Sequence, residues 1–314
     1  MLERISGTEN IVFKPKFIER YKSLLEDRYD EFIAYSLSWQ RKCIRVNTLK
    51  MSVPELVARL EKHWRLQPIP WCKDGFYIEG ERYDVGNLLE HALGYIYVQE
   101  SASMIPPLVL DPQLDEHILD MCASPGSKTT QLAQYLQNSG MVVANDISHE
   151  RLAPLGLNLQ RCGVLNTVIT MMRGTHFSGF AFDKILVDAP CSGVGTIRRS
   201  LRTIQQWNPN VVKVLSGQQK QLVKTAFSNL KAGGVMVYST CTLEPEEDEG
   251  VVSWLLQHEP TASIEKIELN IKRSSCVTGF DGVTYHPDVK HCLRMWPMDN
   301  DSEGFFVARI MKNI

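Results

Sequence analysis

Two cysteines each follow a segment that reads as a β-strand. Ile185-Leu186-Val187 runs into Asp188-Ala189-Pro190-Cys191-Ser192-Gly193, and Val237-Tyr238-Ser239 runs into Thr240-Cys241-Thr242-Leu243. A cysteine taken alone is most often a small buried hydrophobe, and that reading is assigned to Cys43, Cys72, Cys162, Cys276 and Cys292. Cys191 and Cys241 stand apart because they close two consecutive strands, one of them just after an acid. In a parallel sheet, ligands sit outside the carboxyl ends of the strands. Adjacent central strands would bring both thiols and Asp188 into one crevice, where a thiolate can act as a covalent nucleophile.

A second loop bears on what shares that crevice. The strand at residues 118–121 runs into Cys122-Ala123-Ser124-Pro125-Gly126-Ser127-Lys128-Thr129. Its small residues allow close backbone approach, and the helix that follows offers unpaired amides. A dinucleotide would want GxGxxG, which is absent. A P-loop needs Gly-Lys-Ser/Thr, but Ser127 separates Gly126 from Lys128. That leaves S-adenosylmethionine, whose methionyl end could lie along the loop. Twenty residues after Gly126, Asp146 ends the next strand, where an acid can accept both hydrogen bonds of a ribose diol. A turn or cap role for Asp146 is the competing reading. Loop and acid together favour an adenosine-type cofactor.

A methyl donor, two thiols and an acid in one cleft suit methylation at carbon 5 of a cytosine. That carbon is too weak a nucleophile to take a methyl group directly. Addition of a thiolate at carbon 6 makes it enamine-like, an acid near N3 stabilises the electron-rich ring, and a second group assists release. Cations nearby favour thiolate formation and hold phosphates. From Ala189 to Leu243 there is no Asp or Glu, while Arg198, Arg199, Arg202, Lys213, Lys220, Lys224 and Lys231 all fall there. Glu244, Glu246, Glu247, Asp248 and Glu249 follow at once. The plainest account of this contrast is two solvated surfaces of opposite sign.

The elements that must position these residues form a βαβ rhythm beyond residue 110. Strands are expected at 118–121, 141–145, 167–171, 184–187 and 234–239, with helices at 128–137, 151–161 and 217–230 between them. Such alternation argues for a doubly wound, mostly parallel sheet covered on both faces. Before it, a helical arm at 14–38 precedes a small α+β module with strands at 43–49, 75–78 and 95–99 and a helix at 54–64. Pro106-Pro107 and Asp111-Pro112 read as the seam, giving an N-terminal module over 1–110 and a catalytic domain over 111–314.

Composition agrees with an ordinary globular enzyme. Among 314 residues, 44% are hydrophobic and 22% charged, which excludes a disordered chain. The formal charge of −2 is a mild warning against nucleic acid, since dedicated binders are usually basic. No apolar run is long enough to span a bilayer, and the first residues do not read as a signal peptide. The eight cysteines include no CxxC pair, so neither a metal site nor disulfides are expected, and the reducing cytoplasm is the expected setting.

The residues also resemble a known family. Leu119-Asp120-Met121-Cys122-Ala123-Ser124-Pro125-Gly126-Ser127-Lys128-Thr129, the block from Asp188 to Gly193, and Tyr238-Ser239-Thr240-Cys241-Thr242-Leu243-Glu244-Pro245-Glu246-Glu247 are similar to the signature blocks of the Sun/NSUN-type (RsmB/NOP) RNA cytosine-5 methyltransferases. Ile44-Arg45-Val46-Asn47-Thr48-Leu49-Lys50, Val98-Gln99-Glu100-Ser101-Ala102-Ser103 and Gly304-Phe305-Phe306-Val307-Ala308 resemble its flanking motifs. The resemblance implies a Rossmann-like α/β fold with a small RNA-recognition-like module in front. It implies that Cys241 is the nucleophile, that Cys191 assists resolution of the adduct, and that Asp188 contacts the base beside the cofactor methionine. Cys122, Ala123, Ser124, Pro125, Gly126, Ser127 and Lys128 would cradle S-adenosylmethionine, with Asp146 on the ribose and Arg151 nearby.

One departure falls after the third strand, where the family usually has an acid for the adenine and this chain has Arg173. An arginine cannot accept from an amino group, so a backbone carbonyl must do so or cofactor affinity is lower. The compact size resembles family members that modify tRNA, and ribosomal RNA is the alternative. A DNA enzyme would use the Pro-Cys cysteine as nucleophile and need no Thr-Cys partner. A catalytically idle RNA-binding scaffold has only Arg173 in its favour. A loop or junction cytosine is the expected target, because a paired one must first be unstacked. Trp207, Tyr238 and Phe305 are candidate stacking surfaces, with core packing as the competing role. A monomer is expected.

Overall fold

Residues 2–80 and 84–314 are described in the computed structural model. Near the start lie helices α1 (Pro15–Leu25) and α2 (Tyr29–Ser36), and Pro15 opens α1 where a missing N–H costs nothing. The arm expected at 14–38 is thus helical, but it packs far along the chain. Phe17, Tyr21 and Phe32 share one apolar cluster with Val194, Ile197, Ile204, Trp207, Leu243 and Trp296. Phe17 meets the Trp207 ring edge-on at 5.2 Å between centroids.

A four-stranded antiparallel sheet follows, built from β1 (Cys43–Val46), β2 (Arg65–Ile69), β3 (Cys72–Glu79) and β4 (Ile96–Val98) in the order β2-β3-β1-β4. Helix α3 (Val53–Leu60) starts with a Ser52/Glu55 capping box. It buries Leu56 and Leu60 with Ile44, Val46 and Trp64. Strand β2 was not expected, because Arg65-Leu66-Gln67-Pro68-Ile69 shows no clean alternation. It pairs on one side only, and a proline is tolerated on such an edge. A short helix, α4 (Leu89–Ala92), leads to β4.

Pro106 and Pro107 lie at the start of helix α5 (Ile105–Leu110). Ile105, Val109 and Leu110 share a core with Leu186, Val237 and Val307 from the large sheet and with Cys43, Trp71 and Tyr77 from the small one. One apolar core therefore runs from sheet to sheet.

The large sheet has five parallel strands, β5 (His117–Asp120), β6 (Met141–Asp146), β7 (Thr167–Met171), β8 (Phe182–Asp188) and β9 (Leu230–Thr240). All five lie where the βαβ rhythm places them. Three further strands, β10 (Ala262–Glu265), β13 (Leu293–Met295) and β14 (Phe305–Lys312), extend it antiparallel; the βαβ rhythm did not include them, although the flanking motif at 304–308 overlaps the start of β14. The order is β10-β14-β9-β8-β5-β6-β7 with β13 also on β14, and a small hairpin, β11 (Gly279–Phe280) and β12 (Val283–Thr284), lies apart. The helices are α6 (Ser127–Tyr135), α7 (His149–Cys162), α8 (Arg202–Gln206), α9 (Pro209–Ser228), α10 (Glu249–His258) and α11 (Pro297–Asn300). No helix among the described residues is long and apolar enough to cross a membrane.

The acidic run after Cys241 is not a solvated surface. Glu244, Glu247, Asp248 and Glu249 are all fully buried. Arg294 on β13, equally buried, donates to Asp248 Oδ2 at 2.9 Å, to Glu249 Oε1 at 2.7 Å and Oε2 at 2.6 Å, and to the Leu243 carbonyl at 3.2 Å. Burial pulls the Arg294 guanidinium down, but Glu249 and Asp248 outweigh it and leave it firmly charged. Removing one partner of a buried ion group leaves uncompensated charge. Arg294→Leu is therefore expected to destabilise the fold by about 3–5 kcal/mol, read as a lower urea midpoint at unchanged slope. An unchanged midpoint would show that Asp248 and Glu249 need no counter-charge.

Candidate active site

From β5 the chain winds outward through β6 and β7, then returns to place β8 on the other side of β5. The topological switch point therefore lies between β5 and β8, where crevices open beyond the carboxyl ends. A cavity of about 600 Å³ lies there, its wall including Cys122, Ser124, Asp146, Arg151, Asp188, Cys191 and Cys241. Ala123, Pro125, Gly126, Ser127 and Lys128, expected to cradle the cofactor, are not among its lining residues.

The two thiols meet as the strand ends imply. Cys191 Sγ and Cys241 Sγ are 3.3 Å apart and share a hydrogen bond. That bond and then burial push the Cys191 thiol well up, with Glu247 and Asp188 adding to it. Its surroundings thus oppose ionisation of Cys191. The Cys241 backbone is locked by a different contact, Gly195 N–H to its carbonyl at 3.0 Å. A side chain at Gly195 would come within 2.1 Å of the Gly304 carbonyl oxygen, so only glycine allows that approach.

Asp188 is held on both oxygens, Oδ1 by the Ser239 hydroxyl at 2.8 Å and Oδ2 by Lys128 Nζ at 2.7 Å. Lys128 also reaches Ser103 Oγ at 3.1 Å. Burial pulls the Lys128 ammonium down, but Asp188 outweighs it, and Cys241 lies close enough to add to the upward push. One cation thus serves both the acid and the half-buried Cys241.

The loop after β5 is tied to β6 through one carboxylate. Asp146, almost fully buried, accepts from Ser124 N–H at 3.2 Å, from Ile147 N–H at 2.8 Å and from Arg151 Nε at 3.1 Å. Ser124 Oγ donates to the Arg151 carbonyl, and Arg151 Nη2 donates to the Ser124 carbonyl. Gly126, at φ +102°, starts α6 with a Cβ position only 3.0 Å from Leu155 Cδ1. Arg45 of β1, fully buried, donates to the Ser127 carbonyl and to Thr130 Oγ1, so the small sheet pins the first turn of α6. Burial pushes the Cys122 thiol far up, and the Asp120, Asp188 and Asp146 charges add to it, which makes it a poor nucleophile.

Other residues of the wall carried no sequence signal. Asn145 donates to the carbonyls of Met121 and Met172 and accepts from Thr170 Oγ1 and Met172 N–H. It fastens three strand ends together, and its main-chain partners leave no motif. Gln218, Gln221 and Leu222 reach the cavity from α9, and Arg173 also lies in its wall. The three candidate stacking rings are all buried. Trp207 donates to Glu244, Tyr238 donates to the Glu247 carbonyl, and Phe305 lies against Lys128. Arg198 is buried too, bonded to Ser38, the Trp39 carbonyl and Asp301, and Lys231 pairs with Asp183. Arg199, Arg202, Lys213 and Lys224 remain exposed. Cys43, Cys72, Cys162 and Cys292 are buried and Cys276 half-buried. Among the described residues no cluster of His, Cys, Asp and Glu could hold a metal ion.

Comparison with known proteins adds a second line of evidence. Residues 107–311 match the family model described as 16S rRNA methyltransferase RsmB/F, and residues 13–101 match the N-terminal domain of 16S rRNA methyltransferase RsmF. A Pyrococcus abyssi protein named tRNA (cytosine(49)-C(5))-methyltransferase is 46% identical over 300 residues, which is 95% of this chain and 96% of that one. The ribosomal RNA small subunit methyltransferase F of Vibrio vulnificus is 42% identical over 96% of this chain, and the match spans 65% of its own length. Among solved structures, a methyltransferase homolog protein from Pyrococcus horikoshii superposes with a TM-score of 0.87 at 36% identity, covering 96% of this chain and 95% of that one. NSun6 from Pyrococcus horikoshii shares the fold, with a TM-score of 0.83 at 24% identity over 96% of this chain and 98% of that one. With the paired thiols at the switch point and the family model covering the whole large sheet except its last residue, the chain belongs to the RsmB/F family of methyltransferases.

Proposed function

We propose that this protein transfers a methyl group from S-adenosylmethionine to carbon 5 of a cytosine in RNA, with Cys241 as nucleophile. The observation that carries this reading is the thiol pair. Cys191 and Cys241 stand 3.3 Å apart in the wall of the open cavity, and the Lys128 ammonium, held by Asp188, lies close to the Cys241 sulfur. Cys241 Sγ adds to carbon 6 of the base, and the electron pair released toward N3 is met by the Asp188–Lys128 pair. The enamine so formed, with its double bond between carbons 4 and 5, would take the methyl group from the sulfonium of S-adenosylmethionine, whose S–CH3 bond breaks to leave the neutral thioether S-adenosylhomocysteine. Loss of the carbon 5 proton then expels Cys241 as thiolate. The S–H of Cys191 hydrogen-bonds that leaving sulfur, which favours its departure.

The cavity fits the cofactor on chemical grounds. Asp146 supplies carboxylate oxygens for the ribose hydroxyls, and Arg151, more than half exposed, can yield its place on them. Cys122 and Ser124 line the wall, Ala123, Pro125, Gly126, Ser127 and Lys128 set its shape, and Asp188 receives the methionyl end. Arg173 offers no acceptor to the adenine amino group, so a backbone carbonyl takes that bond.

tRNA is the favoured substrate. The relative named for tRNA matches along nearly its whole length, whereas this chain spans about two thirds of the relatives named for ribosomal RNA. The family description favours ribosomal RNA as the second reading. Residues 1–110 are assigned to substrate reading and 111–314 to catalysis. All eight cysteines are unpaired, which supports a reducing, cytoplasmic setting, and a monomer suffices because both thiols come from one chain.

Trapping on cellular RNA tests the chemistry. Cys191→Ala is expected to accumulate a protein–RNA adduct on a denaturing gel, and Cys241→Ala to make neither adduct nor 5-methylcytosine. Sequencing the trapped RNA names the substrate. Methylation by Cys241→Ala with a dead Cys191→Ala would reverse the two roles. For the cofactor, Asp146→Asn is expected to weaken S-adenosylmethionine binding about 10- to 100-fold in calorimetry, as loss of hydrogen bonds to a charged group implies. Unchanged affinity would place the ribose elsewhere.

A further inference from the structure

The segment after Cys241 turns back beneath the other cysteine. Glu247, fully buried, accepts on Oε2 from Ser192 N–H at 3.0 Å and from Gln219 Nε2 at 2.8 Å. Gln219, also fully buried on α9, uses the same amide nitrogen to reach the Pro190 carbonyl at 2.9 Å. The carbonyl before Cys191 and the amide after it are thus held by one pair of side chains. A third link joins Ser192 Oγ to Thr242 Oγ1 at 2.7 Å, and Tyr238 anchors the pair to β9 through the Glu247 carbonyl at 2.5 Å.

A buried carboxylate is a costly way to fill space, and apolar residues of similar size often serve stability as well or better. What an apolar pair could not supply is a directed acceptor for the main chain of the cysteine turn. Cys241, by contrast, is fixed through the Gly195 amide and through Thr240 Oγ1 donating to Asp248 at 2.5 Å. Neither contact uses the Glu247 side chain.

We propose that Glu247 and Gln219 are positioning residues that hold the Cys191 turn within hydrogen-bond reach of Cys241, and that they act in release of the covalent RNA adduct and not in its formation. This deepens the cytosine-5 reading and rests on it. Without the pair, Cys191 drifts from the leaving sulfur while the nucleophile stays in place.

The test compares Glu247→Ala, Gln219→Met and Glu247→Gln with wild type, Cys191→Ala and Cys241→Ala on total cellular RNA. It reads adduct on denaturing gels, methyl incorporation in a single turnover, and steady-state turnover. Melting temperature and S-adenosylmethionine binding report folding, and Gln219→Met decides if Glu247→Ala does not fold. Glu247→Ala and Gln219→Met are expected to accumulate adduct as Cys191→Ala does, to lose about 100-fold in steady-state turnover, as a misplaced group near the reaction can cost, and to keep single-turnover methylation. Glu247→Gln retains an oxygen for Ser192 N–H and is expected to restore turnover, while Gln219→Met keeps the bulk without the donor and is expected not to, a contrast that a loss of packing alone would not predict. Wild-type turnover in both clamp variants, or slow adduct formation without accumulation, overturns the proposal. Absence of adduct in Cys191→Ala itself would instead sink the cytosine-5 reading beneath it.

Discussion

Four carboxylates between Glu244 and Glu249 lie in the interior, and the architecture around Cys241 follows from the need to accommodate them. An unpaired buried charge is prohibitively unfavourable, so each acid must find partners, and none of those partners is local. Glu244 takes Tyr21 and Trp207, with Arg20 beside it. Glu247 takes Ser192 and Gln219. Asp248 takes Thr240 and Arg294, and Glu249 takes Arg294 and Val277 N–H. The arm, α9, β13 and both cysteine turns converge on one short stretch. Burial raises the Glu244, Glu247 and Asp248 carboxyls, while their partners pull the other way.

The side of the cavity formed by the loop after β5 uses fewer charges. Asp146 organises the loop after β5, and the Asp188–Lys128 pair sits where that loop meets the thiols. Lys128 belongs to the first turn of α6, which Arg45 of the small sheet pins from behind. A change in the N-terminal module therefore bears on the Lys128 ammonium through the buried Arg45 guanidinium and directly through Ser103 Oγ. Lys50 and Arg161 add a second tie, donating to carbonyls across the two sheets' connections.

Charge seen along the sequence misled in an instructive way. The acid-free stretch does present exposed cations, but Arg198 is a buried strut and Lys231 is paired with Asp183. The acidic run looks like a hydrated surface because five acids in six residues normally would be one. Whether such a run is solvated depends on whether Arg20, Arg294 and Gln219 arrive from elsewhere, and no local pattern encodes that. The same holds for Trp207 and Tyr238, whose polar atoms satisfy buried acceptors.

The sequence by itself determined the five parallel strands, the order of βαβ units and the loops at which chemistry sits, because strand and helix periodicity and turn residues are short-range signals. It also marked Cys191, Cys241, Asp188 and Asp146 as strand-end residues, and parallel topology sends such ends to one edge. Only the tertiary structure decided that the thiols stand 3.3 Å apart, that the arm packs on Trp207 and Trp296, and that β10, β13 and β14 complete the sheet. Those outcomes depend on which distant surfaces meet. Partners separated by 28 to more than 200 residues are chosen by the desolvation cost of leaving a charge or a ring unmatched, a quantity that exists only once the chain has folded.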